Sequence, residues 1–191
     1  MTTTTAPQMQ NADIDGYIWI LENRYDHATH GFVVNVYADK NSAYTDFVAT
    51  ARRGNYRIRR QGEILKMRGA NFSNLTLRQY VVISLPTVDH DAERSASEPT
   101  DTTWIFEARA HGESSAEIID VYTDENTGST AFNTMLRDSS RTFTVTFPNG
   151  AYTTVLGGYE YSLTPHRHAC VLVDPTTDPD ELVRDYIAQN H

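Results

Sequence analysis

Displaced by 85 positions, this chain matches itself. Trp19, Ile20, Glu22 and Arg24 fall on Trp104, Ile105, Glu107 and Arg109, and Val36, Tyr37 and Asp39 fall on Val121, Tyr122 and Asp124. Asn41, Thr45, Phe47 and Arg52 fall on Asn126, Thr130, Phe132 and Arg137, which makes 11 identities over 34 ungapped positions, residues 19–52 against 104–137. Further on the register slips by a few residues, and the run from Val81 to Thr87 aligns with the run from Cys170 to Thr176. A self-match at a fixed offset is the mark of one supersecondary unit used twice. Shared strand–helix patterning would fix only polarity, not the recurrence of Trp, Glu, Arg, Tyr and Asp at matched places.

Each copy reads as ββαβββ, which makes the fold class α+β: one helix packed on an antiparallel sheet, twice over, with a short C-terminal helix. Residues 17–24 are aromatic and β-branched, as a strand requires, and a turn ending in Gly31 leads to a second strand at 32–37. Asp39 is placed to cap a helix whose Ala43, Phe47 and Ala51 share one face. Arg52 and Arg53 suit its negative end, and Gly54 is expected in the left-handed conformation that stops it. A hairpin follows, turning at Gln61-Gly62 in copy one and at Asn149-Gly150 in copy two. Residues 80–85 and 169–173 are expected to be the closing strands.

The resulting organisation is a disordered tail at 1–15, module 1 at 16–88, an acidic linker at 89–101, module 2 at 102–177 and a terminal helix at 178–191. That helix opens on Asp178-Pro179-Asp180-Glu181, a cap, a proline and acids in the first turn, and its apolar stripe suggests a clasp over one sheet. Modules this small bury too little surface to be comfortable alone, so the two are expected to pack together.

Charge divides the copies. The chain carries −9 overall, but residues 1–95 hold 11 Lys+Arg and 10 Asp+Glu (+1), whereas residues 96–191 hold 5 and 15 (−10). No apolar run approaches the roughly 20 residues of a helical membrane span. The opening Met1–Pro7 stretch lacks the basic and apolar regions of a secretory signal. With Cys170 the single cysteine, a cytoplasmic, reducing location is expected, and the sequons at Asn71 and Asn74 are read as chance.

Three groups of residues are candidates for function. Arg52, Arg53, Arg57, Arg59, Arg60, Lys66 and Arg68 form a dense basic stretch. On a strand Arg57 and Arg59 share one face and Ile58 and Arg60 the other, so the hairpin could present cations to phosphates. The competing reading, favoured on the chain's net negative charge, is a solvated sheet face or a basic face docked on acidic module 2. His166, His168 and Cys170 alternate along a strand and are chemically sound zinc ligands, yet three ligands on one strand rarely close a tetrahedron. The alignment above sets them opposite Leu77, Gln79 and Val81, which makes Cys170 a core position. His27 and His30 precede Gly31, as His111 precedes Gly112; turn chemistry explains them more simply than proton transfer. Glu22/Arg24 and Glu107/Arg109 suit cross-strand ion pairs. There is no phosphate-binding glycine loop, dinucleotide fingerprint, nucleophile elbow, zinc-protease helix or calcium loop.

The aromatic first strand, His-Gly loop, Val-Tyr-x-Asp and Ala-x-x-x-Phe helix resemble small uncharacterised proteins of bacteria and their phages. That resemblance implies no activity, and no catalytic residues come with it. The expectation is a non-enzymatic protein with no cofactor, binding a protein partner in an accessory or inhibitory role in a phage or mobile element. The alternatives are nucleic-acid binding through the basic hairpin, and a histidine- or metal-dependent enzyme.

Overall fold

The computed structural model describes residues 13–25, 31–68, 73–84, 101–113, 116–138, 145–146 and 151–190. His27, His30, the 89–100 part of the linker and the Asn149-Gly150 turn lie outside them.

The fold is α+β, with three helices and one large curled sheet of mixed sense. The N-terminal half runs β1 (Asp13–Tyr25), β2 (Phe32–Tyr37), α1 (Lys40–Gly54), β3 (Ile58–Gln61), β4 (Ile64–Arg68) and β5 (Ser73–Ser84). The C-terminal half runs β6 (Thr102–Ala110), β7 (Glu117–Tyr122), α2 (Glu125–Asp138), β8 (Val145–Thr146), β9 (Tyr152–Leu156) and β10 (Tyr159–Arg167), followed by α3 (Pro179–Gln189). β1 thus begins inside the stretch read as a tail. In the first half β1 pairs β2 and β5, β5 pairs β4, and β4 pairs β3. In the second half β6 pairs β7 and β10, β10 pairs β9, and β9 pairs β8. Both first hairpins carry a register shift at the same aligned place, Leu21/Glu22 and Phe106/Glu107.

The closing strand of the second half is β10, not residues 169–173. Leu156 and Tyr159 face each other across Gly157 and Gly158, both at positive φ (60° and 85°). A glycine pair supplies this tight hairpin without steric cost, so β10 starts at Tyr159 and its register lies three residues earlier than the Cys170 alignment required. Trp19 pairs Gln79, and Trp104 pairs Pro165. His166 and His168 therefore stand where Tyr80 and Val82 stand in the first half, and Cys170, in no strand, is exposed rather than in the core.

One face of the sheet carries the helices. Asp39 caps α1, its Oδ1 accepting from Ser42 N at 2.8 Å, and the aligned Asp124 does the same for Thr127 N at 2.9 Å. Trp19, Leu21, Leu65, Met67 and Leu77 pack under Ala43, Tyr44, Phe47 and Ala51; Trp104, Phe106 and Leu163 pack under Phe132 and Leu136. The left-handed residue ending α1 is Asn55 (φ 51°), not Gly54. Gly54 is needed for closeness: a Cβ there would lie 2.2 Å from the Tyr56 ring.

α3 crosses from the end of the second half to α1 of the first, burying Val183 and Tyr186 in that core. The Tyr186 hydroxyl donates to the Tyr56 carbonyl at 2.7 Å, and Asp180 meets Lys40 at 2.8 Å and Arg60 at 2.7 Å. The aligned positions on α2 explain its preference, since Tyr44 becomes Ser129, Val48 becomes Asn133 and Lys40 becomes Glu125. Nothing apolar or cationic is left there for α3 to cover.

The opposite sheet face curls on itself. β5 meets β7 at Ile83/Tyr122, His168 bridges to Val36, and Gly31 bridges to Ala116, with Ala116 N donating to Gly31 O at 3.0 Å. Gly31 and Ala116 are themselves 85 apart, so this contact lies where an approximate two-fold between the halves would pass. Inside the curl Ile18, Ile20, Val36, Val82, Ile105 and Val121 form one core drawn from both halves.

Candidate functional site

Beyond this shared core, the inner sheet face opens into two clefts, which share four aligned positions. Strand alternation places Glu22 and Arg24 of β1, Lys66 and Arg68 of β4, and Asn74, Thr76 and Arg78 of β5 on the side away from α1. With Arg57 and Arg59 they surround a cleft of about 680 Å³, also lined by Asn55 and Tyr56. Six of the described lining residues are cations (Arg24, Arg57, Arg59, Lys66, Arg68, Arg78) and none of the described ones is acidic. Beside the cations lies Glu22, whose Oε1 accepts from the Tyr80 hydroxyl at 2.7 Å and lies 3.9 Å from Arg78 Nε. Arg78 Nε is shut off from solvent and has no hydrogen-bond acceptor.

The second cleft, about 450 Å³, is lined by Phe32 and Val33 and by Glu107, Arg109, Glu160, Ser162, Thr164 and His166, among others. The strand registers align Arg24 with Arg109, Asn74 with Glu160, Thr76 with Ser162 and Arg78 with Thr164. They align Lys66 and Arg68 of β4 with Thr153 and Val155 of β9. At these positions the second half thus carries three fewer cations and one more acid than the first. Its remaining Arg109 is neutralised by Glu160, Nη2 to Oε1 at 2.7 Å. At the equivalent place in the first half, Asn74 brings no charge.

Of the residues singled out in the sequence, Arg57, Arg59, Lys66 and Arg68 come together in the first cleft. Arg60 turns to the other face, where Asp180 and Glu63 hold it beside Tyr44. Arg52 and Arg53 are exposed at the end of α1, away from the cleft. Among the described residues of that basic stretch, Arg60 pairs with the acidic half, through Asp180, which also meets Lys40. No described residue of the C-terminal half lines the cleft. Arg24 and Arg78 were missed as cleft residues because they sit 54 residues apart in sequence, and only the β1–β5 register joins them.

Among the described residues His111, His166 and His168 do not form a cluster with metal-holding geometry. His166 and His168 lie on the inner face, and burial holds both imidazoles below the usual range, the Asp101 charge partly opposing this at His168. His168 Nε2 contacts Thr103 Oγ1 at 2.6 Å, and His166 Nε2 contacts Thr164 Oγ1 at 3.1 Å. Among the described residues no group of three or more His, Cys, Asp or Glu is placed to hold a metal ion. His111 sits in an exposed turn, its backbone N–H donating to Gly158 O at 2.8 Å.

Glu107 is the most perturbed acid. Burial pushes its carboxyl up to about 7, opposed by Arg109 and reinforced by the charge of Glu22. Glu22 and Glu107 are thus aligned carboxylates that feel each other across the junction of the halves.

No protein-family model, curated protein or solved structure matches the chain. Among the described residues no helix is long and apolar enough to cross a membrane.

Proposed function

We propose that this chain is a tandem duplication of a ββαβββ unit and a non-enzymatic binding protein, in which the first copy's open sheet face engages a polyanionic macromolecule while the second copy's equivalent face has been neutralised. One observation carries this reading: six cations and no described acid line one cleft, with Glu22 beside Arg78 among the described ion pairs, against an arginine paired to Glu160 and uncharged side chains at the aligned positions of the other half. A like-charged cluster of this size destabilises a fold by self-repulsion, so its retention on one copy alone is most simply explained by a ligand.

The test is retention on immobilised heparin. A protein of net charge −9 passes through such a column unless a local patch holds it. The intact chain is expected to bind at low salt, and the variant Arg57→Ala/Arg59→Ala/Lys66→Ala to flow through. Arg52→Ala/Arg53→Ala, which removes nearby charge outside the cleft, should elute with the parent. Flow-through of the parent at low salt, or equal loss in both variants, would reject the assignment.

A further inference from the structure

The arrangement of the cations narrows the ligand. Pairing registers place Arg59, Lys66, Thr76 and Glu22 in one line across the sheet, and Arg68, Asn74 and Arg24 in the next. The same register carries Arg57 opposite Arg68, so the second line holds three arginines and an amide. Strands lie about 4.8 Å apart, so this line is roughly 14 Å long; alternate residues along a strand set the two lines about 7 Å apart. The cations thus form a track running across the strands, suited to a linear anion more than to a compact one.

Two features separate a nucleic acid from an acidic protein. Protein interfaces are anchored at their centres by apolar and aromatic side chains and are depleted of charge there. None of the exposed large hydrophobic residues (Tyr17, Phe32, Val34, Val81, Ile119, Val155, Tyr159 and Leu172) lines this cleft. Its one aromatic, Tyr56, is half-buried with its ring against Gly54. A nucleic acid also contributes release of its condensed counterions, a driving force that needs no apolar anchor.

Resting on the polyanion reading above, we infer that the cleft binds the phosphodiester backbone of a single-stranded nucleic acid laid across β4, β5 and β1, without reading its sequence. The concave shape favours one strand over a duplex, because a cleft of about 680 Å³ is of small-ligand size and admits a short stretch of a single backbone. Among the described lining residues Tyr56 is the single ring, and its half-buried place beside Gly54 limits stacking, the usual source of base preference.

The experiment is fluorescence anisotropy with labelled oligothymidylate, a mixed-sequence single strand, the corresponding duplex and polyglutamate as competitor, over a salt series. Six phosphate contacts at about 0.7 ions each predict a log–log salt slope near −4, or roughly 300-fold weaker binding at 200 mM than at 50 mM salt. The two single strands are expected to bind within a few-fold of each other, and the duplex more weakly. Arg24→Ala/Arg57→Ala and Arg59→Ala/Lys66→Ala should each flatten the slope by about 1.4, with Arg52→Ala/Arg53→Ala leaving it unchanged and thermal melts showing each variant folded. A duplex that binds as tightly as the single strands, a salt-insensitive affinity, or a slope unmoved by both cleft pairs would overturn the inference. Heparin retention together with polyglutamate binding and no oligonucleotide binding would overturn it too, while leaving the polyanion reading in place.

Discussion

Phe47→Ala is expected to destabilise the protein by about 3–5 kcal/mol, and Phe132→Ala by a similar amount. Both rings are fully buried at aligned helix positions. Phe47 packs among Trp19, Tyr44 and Leu77 under α1; Phe132 meets Phe106 edge-on at 5.6 Å and Tyr152 at 6.2 Å. The informative result is where the loss is felt. Ile18, Ile20, Val36 and Val82 from the first half share one core with Ile105 and Val121 from the second. Unfolding either half strips apolar cover from the other, at about 25 cal/mol per Å² of apolar surface exposed. Trp19 and Trp104 each report on one half, so single-tryptophan variants can follow urea unfolding separately. Phe47→Ala should lower the midpoint seen by Trp104 as much as that seen by Trp19. Two separated transitions, with only the Trp19 half shifted, would show the halves to be independent domains.

Glu107→Gln is expected to stabilise the protein at pH 8 by about 3 kcal/mol and to do little at pH 4. The sign follows from the direction of the shift. The native carboxyl titrates near 7, above its ordinary value of 4.5, so between those two values the folded state holds a proton that the unfolded state has released. Stability contributed by this group is therefore greatest at low pH, falls as pH rises from about 4.5 to 7, and is then constant. Glutamine keeps the shape without the buried charge and removes that slope. Thermal melts of parent and variant from pH 4 to 8 should diverge between about pH 4.5 and 7 and keep a constant gap above that. Parallel curves would mean that Glu107 is hydrated in solution.

Element types were legible from patterning, but the register of the last strand was not. The Asp39 cap, the Ala43–Phe47–Ala51 face and the order of strands around α1 all follow from local signals. The C-terminal strand was set too late because Val171–Val173 looks like the apolar run of Val81–Ile83, while Gly157-Gly158, the stronger hairpin signal, lies between runs diluted by threonine and tyrosine. Gly54 was read for its backbone freedom when it serves to admit the Tyr56 ring. The basic hairpin stood out as a charge cluster, and alternation correctly divided Arg57 and Arg59 from Arg60. Arg24, Arg78 and the Arg109–Glu160 pair stayed hidden because cross-strand neighbours are set by register, which composition does not encode. The contrast between the two clefts depends on all three.

That contrast can be mapped directly. Amide chemical shifts recorded while a short oligothymidylate or heparin oligosaccharide is added should move at Arg24, Arg57, Arg59, Lys66, Asn74, Thr76 and Arg78. They should stay in place at Arg109, Thr153, Glu160, Ser162 and Thr164, the corresponding positions of the second half. Shifts centred on the second cleft or on α3, or spread evenly over both halves, would contradict a division of labour between the two sheet faces.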